Sequence, residues 1–373
     1  MLSRRSFLSA AAAVTCGSSG LSYGLRSAHG APTPQAKPAG AGKRILIIGG
    51  TSFVGPAVVE EAQRRGITVT LFNRGKTNAG LFPEVEKIHG DRNADVAVLQ
   101  ALFKGRTFDS VIDTSGYFPR QIRNMTAALA GVTRHYLFVS SVSVYSDMSK
   151  PLSETSALAT LTDPTVEKIT EGTYGGLKVL CEQAAQTALP AGALIVRPGY
   201  IVGPRDPTDR FTSWPLRVRR GGPMMAPGTP QDPIQVIDVR DLAAWMMSMV
   251  VAGRTGVFNA VGPKDRLTMG ELLDSCKRVT GADARPIWVP AAELTQAKLI
   301  DLVPIWVPPA EIGMAQVSHA RALAQGMTFR PLATTIKDTL DWWATLPAER
   351  QAKVKAGLSA EQEATILRGK VPG

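Results

Sequence analysis

Residues 43–55 read Lys43-Arg44-Ile45-Leu46-Ile47-Ile48-Gly49-Gly50-Thr51-Ser52-Phe53-Val54-Gly55. The run Ile45–Ile48 is uniformly apolar, rich in β-branched residues and bounded by glycine, which predicts a short strand covered on both faces. Beyond Gly55, Val58, Val59 and Ala62 recur at helical spacing. Strand, glycine-rich turn and helix form the first unit of a doubly wound α/β fold. Glycine suits a sharp turn where backbone approaches an anion. The helix N-terminus behind it offers unpaired N–H groups and the positive end of its dipole to a pyrophosphate.

The same alternation continues. Thr68-Val69-Thr70-Leu71-Phe72, Val85-Glu86-Lys87-Ile88-His89, Phe108–Asp113 and Tyr136–Ser141 read as strands separated by helical patterns. Such alternation over about 150 residues predicts a Rossmann-type parallel sheet. The second strand ends in Asn73-Arg74-Gly75-Lys76. An acid there would bond the ribose 2′-hydroxyl of NAD, whereas an arginine accommodates the 2′-phosphate of NADP. Asn73, Arg74 and Lys76 therefore favour NADP, with NAD the alternative; simple solvation of these loop charges is the other reading. Thr114-Ser115-Gly116, after the fourth strand, is a small-residue loop suited to lying along a cofactor.

Tyr174-Gly175-Gly176-Leu177-Lys178 carries the chemistry. On a helix, residues four apart share a face. A phenol titrates near ~10, too high for a base at neutral pH. A neighbouring ammonium favours the phenolate, and a Ser or Thr hydroxyl would orient a substrate oxygen. Of the six tyrosines, only Tyr174 has lysine four positions on.

Together these segments resemble the extended short-chain dehydrogenases, from residue 44 to about 343 in the same order. Gly49, Ser52 and Gly55 match the family's G-x-x-G-x-x-G loop, with Ser52 in place of the middle glycine. The resemblance implies a cofactor-binding loop of Gly49, Thr51, Ser52, Phe53, Val54 and Gly55. It implies that Asp91, next to Arg92, approaches the adenine amino group. Ser140-Ser141-Val142-Ser143-Val144-Tyr145 aligns Ser141 with the catalytic hydroxyl, Ser143 being the alternative. Lys178 would reach the nicotinamide ribose. Arg197-Pro198-Gly199-Tyr200-Ile201-Val202-Gly203-Pro204 is similar to a segment of NAD-dependent epimerases and dehydratases that leads into the substrate lobe. Ile237–Ala243 resembles the family's return segment, its acids read as helix caps.

The expected organisation is a nucleotide-binding domain at 43–200 and a smaller substrate lobe at 201–346, interleaved with late sheet elements. A charged, helix-prone tail at 347–373 is assigned no chemistry. In the lobe, Arg205, Arg210 and Arg217 are candidates for clamping phosphate or carboxylate. Trp214 is a candidate for stacking on a ring. An anionic or sugar-like small molecule is the expected substrate, and the net charge of +11 suits it. A surface lobe with local salt bridges is an equal alternative for these residues.

Three cysteines and four histidines without metal-ligand spacing give no metal site and no disulfide framework; Cys181 and Cys276 are expected as buried free thiols, one disulfide in an oxidising compartment being the alternative. At the N-terminus, Arg4-Arg5-Ser6-Phe7-Leu8 and an alanine-rich run resemble a twin-arginine export signal, with Ala28-His29-Gly30 as cleavage site and 31–42 as linker. The expected partner is the twin-arginine export machinery and the expected location periplasmic or extracellular. The predicted mature chain, a monomer or homodimer, has no membrane span. Export disfavours RNA and free nucleotide sugars. An NAD(P)-dependent oxidoreductase acting on a secondary alcohol or ketone therefore ranks first. A sugar-nucleotide epimerase or dehydratase is the alternative. A non-catalytic nucleotide- or RNA-binding protein, resembling the chloroplast stem-loop RNA-binding proteins, is the third reading, disfavoured by the complete Ser, Tyr and Lys set.

Overall fold

The strand β1 (Arg44–Ile48) is buried from Ile45 onward and divides the interior in two. Ile45 and Ile47 face one core, Leu46 and Ile48 the other, because successive strand side chains point to opposite faces. This computed structural model describes residues 40–370. The expected export signal, with most of the linker, lies outside them.

From β1 the chain runs through α1 (Val54–Arg64), β2 (Thr68–Asn73), β3 (Glu86–His89), α2 (Val96–Phe103), β4 (Ser110–Asp113), α3 (Pro119–Ala128), β5 (Tyr136–Val139), α4 (Glu171–Ala188) and β6 (Ala193–Pro198). It continues through β7 (Tyr200–Val202), α5 (Ser213–Arg219), β8 (Gly222–Pro227), β9 (Pro233–Ile234), β10 (Val236–Asp238), α6 (Val239–Val251) and β11 (Gly256–Ala260). The main sheet has seven strands in the order β11-β6-β5-β4-β1-β2-β3, every neighbouring pair parallel. The core on one face packs α1 and α6 against the sheet; the other packs α2, α3 and α4. The order reverses between β1 and β4. At such a switch point the loops leave in opposite directions and open a crevice at the strands' C-terminal ends. The expected fold class is thus the observed one.

The lobe follows with β12 (Leu267–Thr268), α7 (Met269–Thr280), β13 (Ala284–Val289), α8 (Ala291–Gln296), α9 (Ala320–Ala324) and α10 (Leu332–Ala344). Its core gathers α5, β8, α7, β13 and α10, including Trp214, Trp306 and Trp343. Residues 347–370 are part of it rather than an appended tail. The short helices α11 (Ala348–Gln351) and α12 (Ala360–Ile366) lead to Leu367, which is buried in the lobe core. Ion pairs fasten this segment, among them Arg350 to Asp209, Glu363 to Arg217 and Lys370 to Glu293, at 2.5, 2.6 and 2.7 Å. Cys181 and Cys276 are buried free thiols in separate cores. Among the described residues no helix is long and apolar enough to cross a membrane.

Candidate active site

A cleft of about 700 Å³ opens at the switch point. Its nucleotide end is built by the β1–α1 turn. Gly49 and Gly50 have φ of +105° and +87°, and a Cβ on Gly49 would lie 2.5 Å from the Thr114 Oγ1. A Cβ on Gly55 would lie 2.6 Å from the Gly50 Cα, so glycine lets α1 begin directly behind the turn. Ser52 needs no positive φ; Phe53 carries one, at +41°, and caps α1. Beyond Gly50, the positive-φ backbone of this loop thus falls at Phe53, one residue after Ser52. This cradle fits a dinucleotide pyrophosphate: a turn opened by Gly49 and Gly50 leads straight into a helix N-terminus.

The rim of the cleft beside β2 is cationic. The Asn73 amide donates to the Gly49 carbonyl at 3.1 Å, and its Oδ1 accepts from the Gly75 N–H at 2.8 Å. The side chain is thus spent on joining β2 to the glycine turn. Arg74 and Lys76 line the cleft and are exposed. Opposite them, Asp91 accepts from the Asn93 backbone and side chain at 2.9 and 2.8 Å, which holds its carboxyl below the ordinary carboxylate range. Arg92 lines the cleft, but its guanidinium is committed to buried Asp113 at 3.0 and 2.6 Å. Asp113 also accepts from the Tyr136 hydroxyl at 2.6 Å and the Ser115 N–H at 3.0 Å. Arg92 therefore braces the Thr114-Ser115 loop, through Asp113 and by donating to the Ser115 hydroxyl at 3.0 Å, and its Nε is left without a partner.

At the other end stand Tyr174 and Lys178, on one face of α4. Ser141 caps the 3-10 turn Val142–Val144, its Oγ accepting from the Ser143 N–H at 3.1 Å and donating to the Ser143 Oγ at 3.1 Å. A Cβ on Gly175 would run into the Ser143 carbonyl, so Gly175 lets α4 seat against this turn and bring Tyr174 to the serines. Burial pushes the Tyr174 phenol above its ordinary value, and the Ser141 hydroxyl pulls the other way. Lys178 donates to the Val139 and Gly116 carbonyls at 2.7 and 2.9 Å. Burial lowers its ammonium to about 8.

Behind these groups lies a buried network. Glu182 of α4 pairs with Arg197 of β6 at 2.6 Å and accepts from the Ser140 hydroxyl at 2.5 Å. Arg197 also reaches the Tyr145 hydroxyl at 3.1 Å, and that hydroxyl donates to Asn259 of β11 at 2.6 Å. Arg197 thus fastens α4 to the sheet, and Asp238 caps α6 by accepting from the Arg240 N–H at 2.9 Å.

Of the substrate-side candidates, only Arg210 lines the cleft, its guanidinium 5.2 Å from the centre of the Tyr200 ring. Arg205 is an exposed partner of Glu60 on α1. Arg217 pairs with Glu363, away from the cleft. Trp214 is buried in the lobe core, its indole N–H donating to the Pro304 carbonyl at 3.0 Å, and cannot stack on a ligand in the cleft. These three readings are corrected: arginine and tryptophan density in a Pro/Gly-rich segment does not distinguish lobe packing from substrate contact. Tyr117, Gln121, Tyr200, Thr208 and Met314 also line the cleft and were not singled out; only contacts between distant segments reveal them. Among the described residues no cluster of His, Cys, Asp and Glu has a metal-holding arrangement.

The profile of the NAD dependent epimerase/dehydratase family matches residues 45–260. The Arabidopsis thaliana protein "Chloroplast stem-loop binding protein of 41 kDa b, chloroplastic" is 27% identical over 256 residues, 64% of either chain. The chain thus covers less than two thirds of that relative. A putative epimerase from Burkholderia cenocepacia has a similar structure (TM-score 0.62, 20% identity, 85% of this chain and 100% of that one). So does a Thermotoga maritima UDP-glucose 4-epimerase solved with UDP-glucose (0.59, 17%, 81% and 98%). A Thermus thermophilus UDP-glucose 4-epimerase solved with NAD is a third (0.57, 18%, 82% and 100%). At these identities the structural likeness speaks for the fold.

Proposed function

The chain belongs to the NAD dependent epimerase/dehydratase family, and on that premise we propose that it transfers hydride at a secondary alcohol or ketone carbon, with Tyr174 as the proton-transfer group. The observation that carries this reading is that Tyr174, Ser141 and Lys178 open onto the same cleft as the glycine turn. A bound nicotinamide would supply the two-electron donor or acceptor. The chain's own residues handle the proton. With its phenol raised by burial, Tyr174 holds a proton at neutral pH and can give it to a carbonyl oxygen as that oxygen gains negative charge. In reverse, the phenolate accepts the alcohol proton, which requires positive charge nearby. Lys178 provides it, since a group at about 8 is largely an ammonium at pH 7. Ser141 and Ser143 orient the substrate oxygen. Arg210, backed by Tyr200, suits an anionic or sugar-phosphate group at the substrate end.

For the cofactor we propose NADP in preference to the NAD of the family's name. Asn73 is engaged in the turn, no acid ends β2, and Arg74 and Lys76 are exposed on the rim. Calorimetric titration with both cofactors tests this: NADP should bind more tightly, and Arg74→Ala should remove the difference. Equal or tighter NAD binding, unchanged by Arg74→Ala, rejects it.

The family membership and the sugar epimerases of similar fold favour a second reading, in which the hydride returns to the same molecule. Stoichiometry separates the two. A net oxidoreductase changes one cofactor per product, whereas an epimerase converts substrate with no net change. The likeness to a stem-loop binding protein supports a reading without chemistry; tight RNA stem-loop binding by a chain that takes up no cofactor would favour that one.

A further inference from the structure

A second cavity of about 700 Å³ lies in the lobe, between α5 and residues 351–363. It shares no lining residue with the nucleotide cleft. Its size falls in the range of about 300–1,000 Å³ usual for small-molecule sites. Leu216, Met225, Val303, Trp343 and Leu358 line it with apolar surface. Two of the five large hydrophobic side chains exposed among the described residues, Leu302 at 41% and Val354 at 42%, also border it. Exposed apolar surface gathered at a cavity marks a place where something is bound more often than scattered apolar residues do.

The charge of the lining is one-sided. Arg217, Arg219 and Arg220 face the cavity, and Glu363 is the single acid in its lining. Glu363 is already saturated: it takes the Arg217 guanidinium at 2.6 Å and the Met225 N–H at 2.9 Å. Arg220 approaches the same carboxylate only to 4.0 Å. The Arg219 and Arg220 guanidinium groups are both exposed at the edge of the apolar chamber, Arg219 without an ion pair among the described residues and Arg220 with only this 4.0 Å one. An uncharged apolar ligand would make no use of these cations, and a small inorganic anion would leave the apolar wall wet.

We propose that this cavity binds a single-chain carboxylate, its alkyl chain against Trp343, Leu216 and Leu358 and its carboxylate on Arg219 and Arg220. The site is independent of the hydride-transfer reading, and its failure would leave that reading untouched. Decanoate is the probe, titrated calorimetrically into the full chain, with 1-decanol as the uncharged comparison. Decanoate should bind saturably at one site per chain, and more tightly than 1-decanol. The double change Arg219→Gln and Arg220→Gln should weaken decanoate about tenfold or more, the loss expected for charge-assisted hydrogen bonds, and leave 1-decanol unchanged. Ala356→Trp should fill the chamber and abolish binding of both, with Ala352→Trp as the second plug if the first chain does not fold. Cofactor binding should be the same in every variant. The proposal is overturned if wild type shows no saturable decanoate binding, if 1-decanol binds as tightly, or if neither the charge change nor a folded plug variant reduces affinity.

Discussion

At the scale of single residues, the site turns on how burial sets protons. Tyr174→Phe removes the phenol hydroxyl and little else. It should lower turnover about 10²–10⁴-fold, the usual worth of a positioned acid–base group, with cofactor affinity nearly unchanged. Ser141→Ala should cost turnover and Ser143→Ala less, because Ser141 stands where the family resemblance expects the catalytic hydroxyl. Steady-state kinetics beside cofactor titration checks the series, and full activity in Tyr174→Phe would remove it from the mechanism. Lys178 allows a test that needs no substrate. Burial lowers its pKa from 10.5 to about 8. Between those values the unfolded chain binds this proton and the folded chain does not, so stability from this site rises with pH across the window. Below about 8 both states hold the proton, and the buried charge weighs against folding. Compared with Lys178→Met, wild type should gain about 1–3 kcal/mol on going from pH 7.5 to 9.5. Urea unfolding at both pH values measures it; a pH-independent difference would mean that the ammonium is not depressed.

At the scale of elements, the decisive contact is α4 against the 3-10 turn after β5. Gly175→Ala favours the helix intrinsically by about 1 kcal/mol. Its Cβ, however, meets the Ser143 carbonyl, which is backbone and cannot rotate away. Such overpacking costs about 1–3 kcal/mol, so α4 should lift from the turn and carry Tyr174 from Ser141. Turnover should fall while cofactor affinity holds, and a melt should show a modest loss of stability; unchanged turnover would mean that the seating of α4 does not matter. The parallel strands, the glycine turn and the Tyr174–Lys178 spacing were legible in the sequence because each is a local pattern. A buried strand is a run of apolar residues, and a shared helix face is a spacing of four. Gly175 shows no role in the sequence, since its necessity comes from Ser143, 32 positions earlier. The same holds for Arg197, whose partner Glu182 lies on a different element, and for Arg92, which reads as a cofactor contact until Asp113 appears beside it.

At the scale of the whole molecule, the C-terminal segment was the least legible part, because a charged helix-prone run resembles any solvated tail. Two of its charges, Arg350 and Glu363, are instead turned inward onto partners in the lobe. Asp209 is fully buried and has φ of +58°, on the loop whose neighbours Pro207, Thr208 and Arg210 line the active cleft. Its carboxylate accepts from Arg350 at 2.5 and 2.7 Å and from the Lys355 N–H at 2.9 Å, while the Lys355 ammonium donates to the Pro207 carbonyl at 2.9 Å. Residues far along the chain therefore hold this loop of the cleft from behind. Arg350→Ala leaves a buried carboxylate with one backbone N–H and no counter-charge, and breaking such a pair costs about 3–5 kcal/mol. The loop should relax towards water to solvate Asp209, displacing Thr208 and Arg210 from the cleft wall. The glycine turn and α4 rest on the sheet and should stay in place. The expected signature is a lower melting temperature and a raised KM, with kcat and cofactor affinity close to wild type. Asp209→Asn in the Arg350→Ala background should restore part of the stability, because it removes the uncompensated charge. If KM is unchanged in a clearly destabilised Arg350→Ala chain, the C-terminal segment supports the lobe core and not the 207–210 loop. If cofactor affinity falls with KM, the two ends of the cleft are coupled more tightly than their separate supports imply.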